Sequence, residues 1–238
     1  MSQVSHPYGF RLVTLRPWKS KWVSLDKKSY RDQLIADVLL REFLTKKLRA
    51  QMVSDIIIER DRTAMKVFIH TARPGLVIGR SGEGIAKIRT MVEKFAHSKN
   101  LSIPKDVKID ITEVTNPDAD AAVIALQIAG DLERRVTFRR VMRMYSEKVM
   151  QARGVKGVRI VLAGRLGGAE MARREEVKLG SIPLQFIRAD IDYAVERAKI
   201  TYGVIGIKVW INKGDSLVNN TASVETVIDA TVRDHNAR

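Results

Sequence analysis

Three stretches of this 238-residue chain carry side chains suited to gripping a polyanion. The first is Gly79-Arg80-Ser81-Gly82. Glycines spaced this way permit torsions that a Cβ resists, and they leave nothing between the turn and an approaching phosphate. A helix opening just after them aims free N–H groups and a positive dipole end at the same point, and Arg80 adds a cation. The second stretch is LERRVTFRRVMR at 132–143. On one continuous helix Arg135, Arg139 and Arg143 recur every four residues, and Arg140 lies three from Arg143, so they form a stripe. Arginine offers phosphate a rigid donor fork and also stacks on bases. The third is GRLGGAEMARR at 164–174, where glycines allow close approach and Arg165, Arg173 and Arg174 supply charge. A structural turn between strands explains this third stretch equally well.

Chemistry beyond binding finds little support. Glu175-Glu176 is the only dense acidic pair, and beside Arg173-Arg174 it reads as a surface salt-bridge cluster. GRSGEG lacks the GxGxxG spacing, and GxxxxGK[ST] does not occur. The chain has no cysteine, and its four histidines (His6, His70, His97 and His235) stand far apart. Neither a thiolate nucleophile nor a zinc site is therefore expected. The expectation is no enzyme, no cofactor and no metal.

The elements that position these stretches can be read from period. Residues 1–29 are basic and interrupted by Pro7, Gly9 and Pro17, an arm that packs on something else. A helix is expected from Ser29 to about Arg49, with Leu34, Ile35, Val38, Leu39 and Phe43 on its core face. Strands follow at 52–59 and 65–71. After the break at Pro74-Gly75 comes a short apolar segment, then the glycine turn. A helix then carries Ile85, Ile88, Val92 and Phe95, and a strand carries Val107, Ile109 and Ile111. Asn116 and Pro117 read as a helix start, and a domain boundary is placed there. Helical sequence continues to about Arg153, with a break expected near 134–137. Strands are expected at 158–162 and 207–211. The fold class is therefore α/β (α+β), with an αββααβ unit at 30–115. That order is the one a type II KH domain uses, and the KH domain clamps RNA backbone with a GXXG loop. A second α/β domain spans 116–213, and an acidic, mobile tail is expected at 214–238.

Charge selects the partner. Lys and Arg number 42 against 27 Asp and Glu, a net charge of +15. Residues 1–50 hold 11 basic and 4 acidic residues, and residues 130–178 hold 13 and 6, so each segment carries +7. A protein this basic points to nucleic acid or an acidic membrane surface. No apolar run approaches the roughly 18 residues of a membrane span, so no membrane association is expected. A nuclease or lyase would need clustered carboxylates or an activated lysine, and neither is evident.

The strings themselves go further. HPYGFRL at 6–12, IHTARPGLVIG at 69–79 and LERRVTFRR at 132–140 resemble the family of bacterial small-subunit ribosomal protein three. So do GRLGGAEMA at 164–172, IRADIDY at 187–193 and TYGVIGIKVW at 201–210. The resemblance implies a type II KH domain followed by a second α/β domain. It implies a place in the head of the small subunit, on rRNA, beside ribosomal proteins ten and fourteen, and at the entrance through which mRNA arrives. There the family's mRNA-facing, unwinding residues map onto Arg139, Arg140 and Arg143, and its GXXG loop onto Gly79, Arg80, Ser81 and Gly82. Candidate rRNA contacts are Arg11, Lys19, Lys21, Arg134, Arg135, Arg165, Arg173 and Arg174. Family members commonly carry two basic residues inside the GXXG, where this chain has Arg80-Ser81. A cytoplasmic ribosome is implied, with an organellar one the other setting, and no homo-oligomer is expected. The alternative is a free KH-type RNA-binding regulator outside the ribosome.

Overall fold

A computed structural model describes residues 5–215, apart from positions 13, 25, 62, 80, 81, 102 and 105. The expected mobile tail lies outside the described residues, except that Gly214 and Asp215 complete the last strand. The chain builds two four-stranded sheets, each covered by helices.

The first unit runs α2 (Lys27–Lys47), β2 (Val53–Arg60), β3 (Ala64–Thr71), α3 (Pro74–Ile78), α4 (Glu83–Ser98) and β4 (Asp106–Glu113). This is the expected αββααβ order. β3 lies antiparallel to β2 and parallel to β4. Alternation does the sorting: Met65, Val67 and Ile69 of β3 turn inward with Ile56 and Ile58 of β2. Leu40 and Leu44 from α2 and Ile88 and Val92 from α4 close over them. Period 2 in the strands and 3.6 in the helices put these residues on one face each.

The core face of α2 differs from the expected one. Leu34, Ile35 and Val38 are exposed, and Ala36, Asp37, Leu40 and Leu44 are buried instead. The cause is a charge. Asp37 is 1 % exposed, accepts the indole N–H of Trp22 at 2.7 Å, and pairs with Arg60 at 2.5 Å. A buried carboxylate must keep its partners, so these contacts fix the rotation of the helix.

The second unit starts at α5 (Ala121–Glu133), then α6 (Phe138–Gln151), β5 (Gly157–Gly164), β6 (Arg173–Gly180), β7 (Ala189–Ile200) and β8 (Gly203–Asp215). Its sheet has the order β6-β5-β8-β7 and is antiparallel throughout. Ile124, Ile128 and Leu132 of α5 and Val141, Tyr145 and Val149 of α6 pack on Ile160, Leu162, Ile207 and Val209. The helix breaks between Glu133 and Phe138, as expected. Asn116 and Pro117, however, open only a 3-10 turn, Pro117–Ala119. The cap of α5 is Asp120, whose Oδ1 accepts from the N–H of Ala122 at 2.9 Å and of Val123 at 3.1 Å.

The N-terminal arm joins the units. Its helical turn α1 (Pro7–Phe10) packs on β7, and its short strand β1 (Ser20–Lys21) adds to β2 in parallel. Between them Arg16 pairs with Asp190 at 2.7 Å. Nearby, Asp192 receives Lys213 at 3.0 Å, and Asp120 accepts a hydrogen bond from the Ser54 hydroxyl across the boundary. Burial works against the charge of Asp192, yet Lys213 and Arg16 hold its carboxyl below its ordinary range. Asp120 is pushed up, by burial first and then by Asp192.

The sign of the pH effect follows. A lowered folded-state pKa stabilises above the unfolded value, about 3.9, and that contribution is lost as pH falls through the folded pKa. Asp192→Asn is expected to cost about 1–2 kcal/mol at pH 7 by urea unfolding. The difference from wild type should shrink toward zero as pH falls below the ordinary carboxylate range.

Candidate nucleic-acid interface

The glycine turn sits between α3 and α4. Gly79 ends α3 with φ 69°, and Gly82 precedes α4 with φ 79°, both in the region that suits glycine. Gly84 is required for a different reason, since a Cβ there would lie 2.1 Å from the Val77 carbonyl oxygen. The turn therefore brings α3 and α4 into backbone contact. Arg80 and Ser81 lie outside the described residues. Glu83 occupies the first turn of α4 and pairs with Lys87 at 2.6 Å, so a carboxylate already uses part of the dipole's attraction.

Arg139, Arg140 and Arg143 all stand exposed on α6, opposite the buried face of Val141, Met142, Tyr145 and Val149. They line a groove of about 650 Å³ along the helix, together with Glu147 and Lys148. None of the three has a carboxylate within ion-pair distance among the described residues. Glu147 lines the same groove but forms no ion pair with any of them; of the other acids near them in sequence, Asp131 accepts from the Tyr145 hydroxyl at 2.7 Å, and Glu133 pairs with Arg49 at 3.0 Å. Lys148 binds Asp118 at 2.7 Å. Two of these arginines stand in the first turn of a helix that has no acid there. The positive dipole end disfavours them in that position.

The other arginines divide. Arg135 is not on the helix with Arg139; it turns the chain between α5 and α6 with φ 66°. The four-residue spacing thus holds only from Arg139 to Arg143. Arg134 is the exposed C-cap of α5. Arg165 braces its loop by donating to the Ala169 carbonyl at 2.9 Å, and it lies 5.7 Å from the Tyr202 ring centre. Arg173 lies 5.4 Å from the Phe138 ring centre and pairs with Glu175 at 3.3 Å. Arg174 and Arg159 share Glu176, at 2.9 and 2.8 Å. The hydrogen bond from Arg159 is the main cause that holds the Glu176 carboxyl below its ordinary value. The Glu175–Glu176 pair is therefore a salt-bridge cluster along β6.

The three candidate rRNA contacts on the arm each bind a partner within the protein. Arg11 is 0 % exposed. Its guanidinium donates to the carbonyls of Ala189 at 2.6 Å, Phe186 at 2.8 Å, and Leu184 and Pro7 at 3.1 Å each. With four of its five N–H groups so used and no exposure to solvent, the fork is out of reach of phosphate. Lys19 pairs with Asp55 at 2.9 Å and Lys21 with Glu59 at 3.0 Å, both on β2. Position along the chain concealed this, because all the partners except Pro7 are 36 to 178 residues away. Two aromatic residues, Phe138 and Tyr202, stand beside these arginines and were not among the candidate contacts. Their signal was Phe138 standing directly before a pair of arginines, the interleaving that base stacking uses.

An αββααβ unit with a glycine turn before its third helix, joined to a domain that shows unpaired arginines, defines an RNA-binding protein of the KH class. The family description of the KH domain matches residues 39–119, and that of ribosomal protein S3, C-terminal domain, matches residues 128–211. The small ribosomal subunit protein uS3 of Hahella chejuensis is 48% identical over 217 residues, 91% of this chain and 92% of that relative. Those of Clostridium botulinum and Pseudoalteromonas translucida are 44% identical over 217 residues and 47% over 215. They cover 91% and 90% of this chain, and 94% and 88% of their own lengths. The chain belongs to the ribosomal protein S3 family. It is a structural protein of the small ribosomal subunit with an RNA-binding KH domain, and not an enzyme.

The Arg11 cage gives a direct test. Arg11→Met leaves the carbonyls of Pro7, Leu184, Phe186 and Ala189 without their donor and should cost about 3 kcal/mol by urea unfolding, as loss of charged hydrogen bonds does. Arg11→Lys should recover only part of this, because an ammonium cannot match the planar fork. An Arg11→Met protein as stable as wild type would contradict the cage.

Proposed function

We propose that this chain sits on rRNA in the head of the small subunit, beside ribosomal proteins ten and fourteen, and contacts mRNA where it enters. It acts as one copy per subunit in cytoplasmic ribosomes, without forming homo-oligomers. Arg139, Arg140 and Arg143 hold the incoming strand by its phosphates, without reading sequence. Strand separation follows from that grip: single-stranded backbone is bound as it forms, which opposes re-pairing ahead of the channel. Arg134, Arg135, Arg165 and Arg173 contribute rRNA or mRNA phosphate contacts. The glycine turn of residues 79–82 presents backbone N–H groups to a phosphate.

The observation that carries this reading is three exposed arginines on α6 that form no ion pair among the described residues, two of them where the helix dipole opposes a cation. Placing charge there costs folding free energy, and a polyanionic partner offsets it.

Replacing Arg139, Arg140 and Arg143 together with alanine should lower the salt slope of mRNA binding to assembled subunits by about two, from roughly 0.7 per single-strand phosphate contact. Translation through a stable mRNA hairpin should slow, while translation of unstructured mRNA changes little. Unchanged hairpin passage in the triple variant would remove the stripe from the mechanism.

A further inference from the structure

A second cavity, of about 700 Å³, opens beside the α6 groove. It lies between the α5–α6 turn, the glycine loop after β5 and the β7–β8 hairpin. Its apolar lining comes from Leu132, Val136, Ile200 and Ile205. Its rings are Phe138 and Tyr202, and four arginines (Arg135, Arg139, Arg165 and Arg173) surround it. No Asp or Glu lines it. The size suits a small-molecule or nucleotide-sized occupant.

The arginines are set against the rings. Arg173 and Arg139 stand 5.4 and 5.7 Å from the centre of Phe138, and Arg165 stands 5.7 Å from that of Tyr202. Gly167 and Gly168 form the adjoining loop with φ 69° and 81°, and a Cβ on Gly168 would meet Tyr202 at 3.4 Å. A Cβ on Gly167 would stand 3.7 Å from the Phe138 ring, so the loop runs close beside both rings. Four cations around an apolar recess repel one another, and among the described residues only Arg173 has a carboxylate partner, Glu175. An anion at the rim would relieve that repulsion, but a bare phosphate has no use for the apolar lining and the rings. The combination of planar apolar surface and arginine rim matches a nucleotide whose base is unstacked. Thr137 and Arg139 line both this cavity and the α6 groove, so one strand can run from one to the other.

We propose that this cleft takes one unstacked nucleotide of single-stranded RNA, its base against Tyr202 and Phe138 and its flanking phosphates on Arg135 and Arg139. The proposal rests on reading α6 as an RNA face, and it adds a base-stacking contact to phosphate contacts alone. Stacking is sequence-tolerant, since every base has a π-face, so the cleft serves any passing strand.

The test uses the full chain and a fluorescein-labelled 12-nucleotide oligouridine, with anisotropy measured across a salt series. Tyr202 is 59% exposed, so Tyr202→Ala should leave the fold intact. Tyr202→Ala should weaken binding about tenfold with the salt slope unchanged, and Tyr202→Phe should bind like wild type. Equal binding by wild type and Tyr202→Ala overturns the cleft. So does equal weakening by both variants, because stacking needs no hydroxyl. Arg140 and Arg143 do not line the cleft, so the pair Arg140→Ala and Arg143→Ala separates the two readings. A lower slope in that pair with no effect of Tyr202→Ala overturns the cleft alone. An effect of Tyr202→Ala with none in the pair overturns the helix reading and keeps the cleft. Photocrosslinks from 5-iodouridine should map to Tyr202 or Phe138, and crosslinks found only elsewhere overturn the proposal. If Tyr202→Ala leaves RNA binding unchanged yet weakens attachment to subunits, a protein neighbour is the occupant and the proposal fails.

Discussion

Arg11 is a guanidinium shut away from water, surrounded by backbone carbonyls from the arm and from the segment leading into β7. An unpaired charge there would be costly, so the carbonyls of residues 184, 186 and 189 must stay where they are. That requirement orders an otherwise irregular segment and holds α1 against β7. From this anchor the chain passes Arg16, paired with Asp190, and reaches β2 through Lys19 and Lys21. The two units are thus tied by one strap. Their direct contacts include Ser54 to Asp120 and Arg49 to Glu133. The arm's two arginines are used within the protein, while the side chains of Lys19 and Lys21 stay 40% and 47% exposed in their pairs.

The net charge of +15 therefore divides into two populations. Arg11, Arg16, Arg60, Arg159 and Arg174 are neutralised internally or saturated by carbonyls. For the buried ones, Arg11 and Arg60, removing one partner leaves a desolvated group behind. Arg139, Arg140 and Arg143 have no such partners and stand in solvent. For an exposed charge the surrounding water already supplies most of the solvation, so isolated surface arginines contribute little to folding. Their clustering on one helix and around one cleft is better explained by what approaches from outside.

How much of this was legible depended on range. The αββααβ order, the break before Phe138 and the inward sides of β3 and β4 follow from local period, which needs no partner. The rotation of α2 was not legible. Leu34, Ile35 and Val38 look like a core face until Asp37 is seen to bind Trp22 and Arg60, and nothing in the helix announces that ion pair. The cap at Asp120 was hidden by a stronger local signal, Asn116-Pro117, which the chain spends on a 3-10 turn. β6 left no apolar alternation to read, because its pattern is one of charges paired with each other and with β5. Of the candidate site, α6 was visible as an arginine period. The burial of Arg11 was not, since its partners lie up to 178 residues away.

The turn at Arg135 shows how the fold converts a linear run of arginines into a surface. Had α5 and α6 been continuous, Arg135, Arg139 and Arg143 would form a straight rail suited only to a straight strand. A left-handed residue at Arg135 ends the helix and lets α6 depart on a new axis, which L-residues adopt only when the surroundings compensate. The compensation is visible in the backbone: the N–H of Arg135 reaches the Leu132 carbonyl at 3.0 Å and that of Val136 the Asp131 carbonyl at 3.1 Å. The break opens the recess into which Phe138 and Tyr202 face, and it moves Arg135 from the rail to the rim. The same local strain that shortens the stripe thereby creates a concave site beside it, so phosphate contacts on the helix lead into a place where a base can be received.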